Sequence, residues 1–182
     1  ENEGRYIPVL YPEKVASLFD EFSLSLILEK LKPLFEDAKV HFCGQNLKYD
    51  ALVLSRYDVG LNGIVFDSMI AEHLLHPEKN SYKLDYLALD YLNYRMKPIE
   101  DLIGKGAKQI SMADVPLEDI AFYATEDADV ALQVALNQQP IIPEENLSEP
   151  FENIEMPLLP VLITMEENGV YLDLDFLKEF WE

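Results

Sequence analysis

Two short stretches of the chain place an acidic residue one helical turn after a polar residue. Tyr123 precedes Asp127 by four positions, and Asn46 precedes Asp50 by the same spacing. Residues four apart lie on one face of a helix, so each pair projects in one direction. Both acids stand among leucines, valines and alanines, where a carboxylate needs a partner or a metal ion. Asp50 and Asp127 are therefore the candidate functional residues.

Two such acids allow two interpretations. Carboxylates can hold a pair of divalent cations, roughly 3.5–4 Å apart, which activate a water molecule against a phosphodiester. Tyr123, one turn before Asp127, would then orient that water or the scissile phosphate. Alternatively, both acids cap helices or face solvent, and the spacing alone favours this plainer interpretation.

The elements that would position these residues alternate between strands and helices. Apolar runs bounded by turn residues predict strands at 5–10, 39–43 and 64–66. Asn46 and Asp67 are predicted to cap two of the helices. Helical spacing of apolar residues predicts helices at 15–36, 47–57, 68–75, 81–94, 117–137 and 151–168. Residues 138–150 contain three prolines and are interpreted as a linker. This order is typical of an α/β protein.

The composition restricts the classes of function. A chain of 182 residues with 49% hydrophobic content suits one globular domain, alone or with part of another. Its net charge of −20 opposes binding to a polyanion, so contact with nucleic acid would depend on local lysines and metal ions. No apolar run is long enough for a membrane span, and the N-terminus lacks the features of a signal peptide. The single cysteine, Cys43, indicates a reduced, cytoplasmic protein.

Three segments together resemble a known family. They are Gly44-Gln45-Asn46-Leu47-Lys48-Tyr49-Asp50, Phe66-Asp67-Ser68-Met69 and Tyr123-Ala124-Thr125-Glu126-Asp127-Ala128-Asp129. In this order they resemble the proofreading domain of bacterial DNA polymerase I, one of the DEDD-type 3′–5′ exonucleases with a tyrosine in the third motif. Residues 154–170 resemble the segment that joins the exonuclease domain to the polymerase domain. The resemblance implies a ribonuclease-H-like α/β fold, with a mixed sheet flanked by helices.

The resemblance also assigns roles by position. It implies that Asp127 binds the first metal ion, that Asp50 helps to bind the second, and that Tyr123 positions the attacking water. The two metal ions would be Mg²⁺ or Mn²⁺. The substrate would be a DNA 3′ end, single-stranded or frayed, in a parent protein that also synthesises DNA. Weaker candidates for contact with DNA are Asn46, Lys97, Lys105 and Lys108.

One part of the family pattern has no counterpart in this sequence. The first motif is an Asp-x-Glu on an earlier strand, and the chain is expected to start after it, truncated at its N-terminus. Asp173 and Asp175 have a similar spacing but lie in the polymerase-side match. We expect an exonuclease domain at 1–140, a linker at 141–150 and the start of a polymerase domain at 151–182. Because hard cations need several oxygen ligands, the fragment alone is expected to be inactive.

Two alternatives to a proofreading exonuclease stay open. One is a non-catalytic spacer that keeps the exonuclease fold to brace a polymerase, although the presence of Asp50, Tyr123 and Asp127 argues against it. The other is a ribonuclease-D-like enzyme acting on RNA, which the match at 154–170 disfavours. The neighbouring acids Glu126 and Asp129 are interpreted as solvated residues of the helix.

Overall fold

The computed structural model describes residues 4–8, 24–106 and 109–181. The sheet consists there of two strands, β1 (Phe42–Gly44) and β2 (Ile64–Asp67). The longer helices are α1 (Leu24–Phe35), α2 (Leu47–Ser55), α3 (Ser68–Leu75), α4 (Leu84–Leu92), α5 (Leu117–Gln138), α6 (Met156–Asn168) and α7 (Leu174–Trp181). The α/β class predicted from the sequence is confirmed. No helix in the described part of the chain combines the length and the apolar character needed to cross a membrane.

The two strands run parallel and are joined through α2. Cys43 pairs with Phe66 and Gly44 pairs with Asp67, after an irregularity between Phe42 and Cys43. This register brings the end of β1, where α2 is about to begin, beside the last residue of β2. The predicted strand at 5–10 is not a strand at residues 4–8, and its last two residues lie outside the described part.

Helix α5 is the element that both hydrophobic clusters share. One cluster joins β2, α3 and α5 to the segment that follows α5. Its buried residues are Phe66, Ala71, Ala135, Ile142 and Phe151. The second cluster joins α4 and α5, through Leu87, Ala88, Met96, Val130 and Val134. Because α5 also packs against β1, it is held from several sides at once.

A buried carboxylate ties α3, α4 and α5 together. Glu72 of α3 is fully buried, and it accepts hydrogen bonds from Lys79 Nζ at 2.7 Å, Tyr91 Oη at 2.7 Å and Gln138 Nε2 at 2.8 Å. Burial alone would raise the pKa of Glu72, but these three donors and the charge of Lys79 hold it below its ordinary value. A buried charge with such partners fixes the relative positions of the three helices.

The segment that follows α5 packs closely rather than extending as a free connection. Short helical turns form at Ile141–Glu144 and Ser148–Pro150, and a π-helical turn at Phe151–Glu155 leads into α6. The ring of Phe151 lies 5.1 Å from that of Phe66, centroid to centroid. Helix α6 in turn packs against α2 and β2. The assignment of 151–182 to a second domain stays a prediction.

Candidate active site

Tyr123 and Asp127 lie one turn apart on α5, as their spacing predicts. The Tyr123 phenol and the Asp127 carboxylate are close enough for each to shift the pKa of the other. Both side chains are partly buried. A helix fixed by two hydrophobic clusters holds this pair rigidly, because neither residue depends on a loop for its position.

The Asp127 carboxylate is poorly stabilised as an anion. Burial, followed by the nearby charge of Glu126, raises the pKa of Asp127 to about 6, although the hydrogen bond from Tyr123 acts in the opposite direction. The pKa of Tyr123 is also raised, by burial first and then by the charge and hydrogen bond of Asp127. At neutral pH the site therefore presents an ionised carboxylate with incomplete hydration beside a phenol that keeps its proton. Such a carboxylate attracts a cation.

Asp50 lies in the first turn of α2, near the end of β1. Its side chain reaches the surface, yet surrounding protein atoms remove part of its hydration. This desolvation raises the pKa of Asp50, opposed by a hydrogen bond from its own backbone and assisted by the charge of Asp67. Helix α2 begins just after β1, and α5 packs against β1. The structure thus brings the two acid-bearing helices to the same strand.

The start of α2 is not capped by Asn46, and this prediction is wrong. Asn46 adopts the left-handed conformation, with φ 58° and ψ 44°, and its side chain makes no capping hydrogen bond. The acceptor is instead Asp67, at the end of β2, whose carboxylate receives the amides of Asn46 at 3.1 Å and Leu47 at 2.8 Å. Asp67 also caps α3 as predicted, through the amide of Met69 at 2.9 Å. The capping of α2 was missed because its acceptor lies on the next strand.

Glu126 is not the solvated helix acid that the sequence suggested. Its two carboxylate oxygens accept hydrogen bonds from Tyr94 Oη at 2.6 Å and from the Lys97 amide at 3.0 Å. Asp129, on the same helix, accepts a hydrogen bond from Gln133 Nε2 at 2.6 Å. Glu126 therefore fastens the segment that follows α4 onto α5, one residue before Asp127.

The lysines proposed to contact DNA differ in their surroundings. Lys97 Nζ lies 3.0 Å from an Asp119 oxygen and 5.9 Å from the centre of the Phe122 ring, so its charge is already engaged. Lys105 is exposed in the turn between Gly104 and Gly106, and Lys108 lies outside the described residues. Contact of Asn46 and these lysines with DNA stays a prediction.

The first described segment lies against α5 near the candidate site. A Cβ atom added to Gly4 would stand 2.8 Å from the Cβ of Thr125. Since Thr125 is two residues before Asp127, chain close to residue 4 passes beside the helix that carries the site. Only a residue without a side chain permits this approach.

The residues of the site fit a hard divalent cation in chemistry but not in number. Carboxylate oxygens are the ligands that Mg²⁺ prefers, and a cation would relieve the poor solvation of Asp50 and Asp127. Within residues 4–8, 24–106 and 109–181, however, no group of three or more acidic, histidine or cysteine side chains could hold a metal ion. Asp50 and Asp127 would by themselves supply only part of a coordination sphere.

Asp173, Asp175 and His73 make local contacts in the described part of the chain. Asp173 accepts a hydrogen bond from the amide of Phe176 at the start of α7, and Asp175 lies 3.6 Å from Lys178 Nζ. The His73 ring lies edge-on to Tyr82, with the two ring centroids 5.3 Å apart.

The fold is shared with two solved structures. The structure superimposes on the polymerase domain of Pol1 from M. smegmatis, in complex with DNA primer-template and dNTP, with a TM-score of 0.68 over 83% of this chain and 23% of that one, at 19% identity. It also superimposes on NrnC from Brucella melitensis with a TM-score of 0.64, over 76% of this chain and 64% of that one, at 16% identity. The chain has a ribonuclease-H-like exonuclease fold.

The sequence identifies the family. The family model described as 3′-5′ exonuclease matches residues 5–142, and the chain belongs to this family. It is 36% identical to DNA polymerase I from Pseudomonas aeruginosa, over 97% of this chain and 20% of that protein. It is also 36% identical to DNA polymerase I from Borreliella burgdorferi, over 98% of this chain and 18% of that protein. The chain therefore spans about a fifth of the length of these relatives.

Proposed function

We propose that this chain is the greater part of a proofreading domain, which removes nucleotides from DNA 3′ ends by hydrolysis of the terminal phosphodiester. The observation that carries the proposal is the pair of Tyr123 and Asp127 one turn apart on α5, with its poorly solvated carboxylate, in a chain of the 3′–5′ exonuclease family. The relatives at 36% identity are named DNA polymerase I, which supports a parent protein that also synthesises DNA. A reduced cytoplasmic location agrees with both activities.

The proposed chemistry assigns a separate task to each residue. Asp127 and Asp50 would hold Mg²⁺ or Mn²⁺, which when bound lowers the pKa of a water molecule and stabilises charge on a phosphoryl oxygen. Tyr123 keeps its proton at neutral pH, because its pKa is raised by burial and by Asp127. It can therefore donate a hydrogen bond to a water molecule or to a phosphate oxygen. We assign Tyr123 the orientation of water or phosphate.

The charge of the chain favours a limited contact with DNA. With a net charge of −20, the protein as a whole repels a phosphate backbone, so attraction must come from bound cations and a few lysines. Lys105 is the exposed described candidate, whereas Lys97 is already paired with Asp119. A short single-stranded or frayed end needs fewer such contacts than a duplex.

A non-catalytic spacer is the second candidate function. It is favoured by one observation: the described residues contain no group of three or more metal-binding side chains. It is opposed by the retention of Asp50, Tyr123 and Asp127 with raised pKa values. A further acidic pair, such as Asp-x-Glu on another strand, would decide between the two.

The test measures nucleotide release from 3′-labelled single-stranded DNA in Mg²⁺ or Mn²⁺. Two proteins are compared: the 182-residue chain, and the same chain preceded by the corresponding upstream segment of the Pseudomonas aeruginosa relative. We expect release of nucleoside monophosphate from the extended protein alone. Asp127→Ala should abolish it and Tyr123→Phe should reduce it, whereas Asp129→Asn, with the same loss of charge, should retain it.

Each contrary result has a defined meaning. The 182-residue chain could release nucleotide by itself, and Asp127→Ala could abolish that release. This result would show that other acids of the chain complete the site. No release from a folded extended protein would support the spacer. A preference for RNA ends over DNA ends would support an exoribonuclease of the ribonuclease-D type.

A further inference from the structure

The turn between β1 and α2 is held by two consecutive residues of β2 and α3. Asp67 is 1% exposed and accepts hydrogen bonds from the amides of Asn46 and Leu47. Ser68 is fully buried and its hydroxyl donates to the carbonyl of Gly44 at 3.0 Å. The same hydroxyl also contacts the side-chain oxygen of Gln45. Every residue from Gly44 to Leu47 is thus bonded either to Asp67, the last residue of β2, or to Ser68, the first residue of α3.

The carboxylate of Asp67 is suited to this task and not to binding a cation. One oxygen receives the amides of Asn46 and Met69, and the other receives the amide of Leu47. These amides are the unpaired donors at the starts of two helices, where negative charge is favourable. A cation at Asp67 would have to displace them.

Asp50 depends on this cap for its direction. It stands in the first turn of α2, three residues after Leu47, whose side chain is itself buried. A helix is rigid over one turn, so a change in the position of Leu47 is transmitted to Asp50 directly. Asn46, in the left-handed conformation, connects β1 to α2. Without the bonds to Asp67, α2 would be free to rotate about this residue.

We propose that Asp67 is a positioning residue, which fixes the start of α2 and thereby aims the Asp50 carboxylate at its metal ion. The inference rests on the proposed function, since it assigns a metal ion to Asp50. The residue was singled out in the sequence only as a cap of α3. Its additional bonds to α2 extend its role to the candidate site.

The variant that tests the proposal is Asp67→Asn. Asparagine keeps the size and one acceptor oxygen, but its amide group would face an N–H donor and leave that donor unpaired. Two measurements are made on the extended protein, in which the upstream segment of the relative precedes this chain. Hydrogen exchange reports protection of the Leu47 amide, and paramagnetic broadening of the Asp50 signals during titration with Mn²⁺ reports affinity at that residue.

We expect Asp67→Asn to accelerate exchange at Leu47 and to weaken Mn²⁺ binding at Asp50 by about tenfold, as for other residues that orient metal ligands. Broadening around Asp127, on a different helix, should change less. In an Asp50→Asn background, the same substitution at Asp67 should not weaken Mn²⁺ binding further, because its effect acts through Asp50. The milder Ser68→Ala should weaken binding in the same direction by a smaller factor, and it serves if Asp67→Asn does not fold.

The matched control is Glu72→Gln. Glu72 is also a buried carboxylate of the same region, but its partners are Lys79, Tyr91 and Gln138 rather than the turn before α2. This control should reduce overall stability and leave the Mn²⁺ affinity at Asp50 unchanged. An equal loss of affinity in the control would mean that general loosening is responsible, and it would overturn the proposal.

Two further results would overturn it at different points. If Asp50→Asn weakens Mn²⁺ binding but folded Asp67→Asn does not, Asp67 is only a structural cap and the proposed function stands. If Asp50→Asn itself leaves the broadening unchanged, then the metal role of Asp50 in the proposed function fails as well. The first result separates the two hypotheses.

Discussion

Replacement of Asp127 by asparagine should stabilise the folded chain at neutral pH. The pKa of Asp127 is raised from 3.8 to about 6, so its ionised form is less favourable in the folded protein than in the unfolded chain. At about 1.4 kcal/mol per pKa unit, the ionised carboxylate costs up to about 3 kcal/mol at neutral pH. Because the side chain is only partly buried, we expect a gain of about 1–2 kcal/mol in the free energy of unfolding. Asparagine keeps an acceptor for the Tyr123 hydroxyl.

The gain should depend on pH in a defined direction. Since the folded state binds the Asp127 proton more tightly, this residue lowers the stability of the unmodified protein as pH rises between about 4 and 6. Asparagine does not titrate. The difference in the free energy of unfolding between variant and unmodified protein should therefore be close to zero near pH 4 and reach its full value near pH 7.5. Urea unfolding followed by circular dichroism at both pH values measures it.

Removal of any acid from so acidic a chain could stabilise it, and Asp129→Asn controls for that effect. This substitution removes the same charge from the same helix but leaves Asp127 in place. We expect the Asp129 variant to retain the pH profile of the unmodified protein. If Asp127→Asn gives the same difference at both pH values, or destabilises the protein near pH 7.5, then desolvation of Asp127 does not have the effect inferred from the structure.

Two pairs of substitutions test how the fold is held together. Glu72→Gln should reduce the free energy of unfolding by about 2–4 kcal/mol, because it breaks a buried charged network. Asp90 accepts a hydrogen bond from Lys79 Nζ at 2.7 Å at the exposed end of that network, and Asp90→Asn should cost less than about 1 kcal/mol. The contribution of Glu72, whose folded pKa is lowered, is present above its unfolded pKa and is lost as pH falls through the folded pKa, so the two proteins should converge in acid. Gly63→Ala should cost more than about 2 kcal/mol, since the new Cβ would meet the Val40 oxygen at 2.2 Å and φ is +70°. Gly106→Ala, with φ +63° and nothing within 4 Å, should cost only about 1 kcal/mol, and similar losses at both glycines would contradict the steric argument.

The sequence predicts an element well where its signals lie inside that element. Helix α3 begins and ends as predicted, at Ser68 and Leu75, because Asp67 caps it from the preceding position. The pairing of Tyr123 with Asp127 follows in the same way from their spacing on one helix. Strand β1 is shorter than predicted, since an apolar run does not show where the partner strand stops pairing.

Where the partner is distant in the chain, local patterns give the wrong answer. Asn46 has the composition of a cap, yet the acceptor for α2 arrives from β2, 21 residues later. Glu126 has the spacing of a solvated helix acid, yet Tyr94 and the Lys97 amide reach it from the segment after α4. Neither contact can be predicted from the spacing of residues in the sequence, because both contacts depend on how the elements pack.

Four acids of the same chemistry acquire different functions from the donors around them. Asp67 receives three backbone amides and Glu72 receives three side-chain donors, so neither can bind a cation without loss of hydrogen bonds. Asp50 and Asp127 are desolvated without equivalent compensation, which raises their pKa values. A metal ion would supply the missing stabilisation at these two positions and at neither of the others. The pattern of donors, more than the positions of the acids in the sequence, therefore supports the proposal that Asp50 and Asp127 bind the metal ions, with Asp67 and Glu72 holding the helices that carry them.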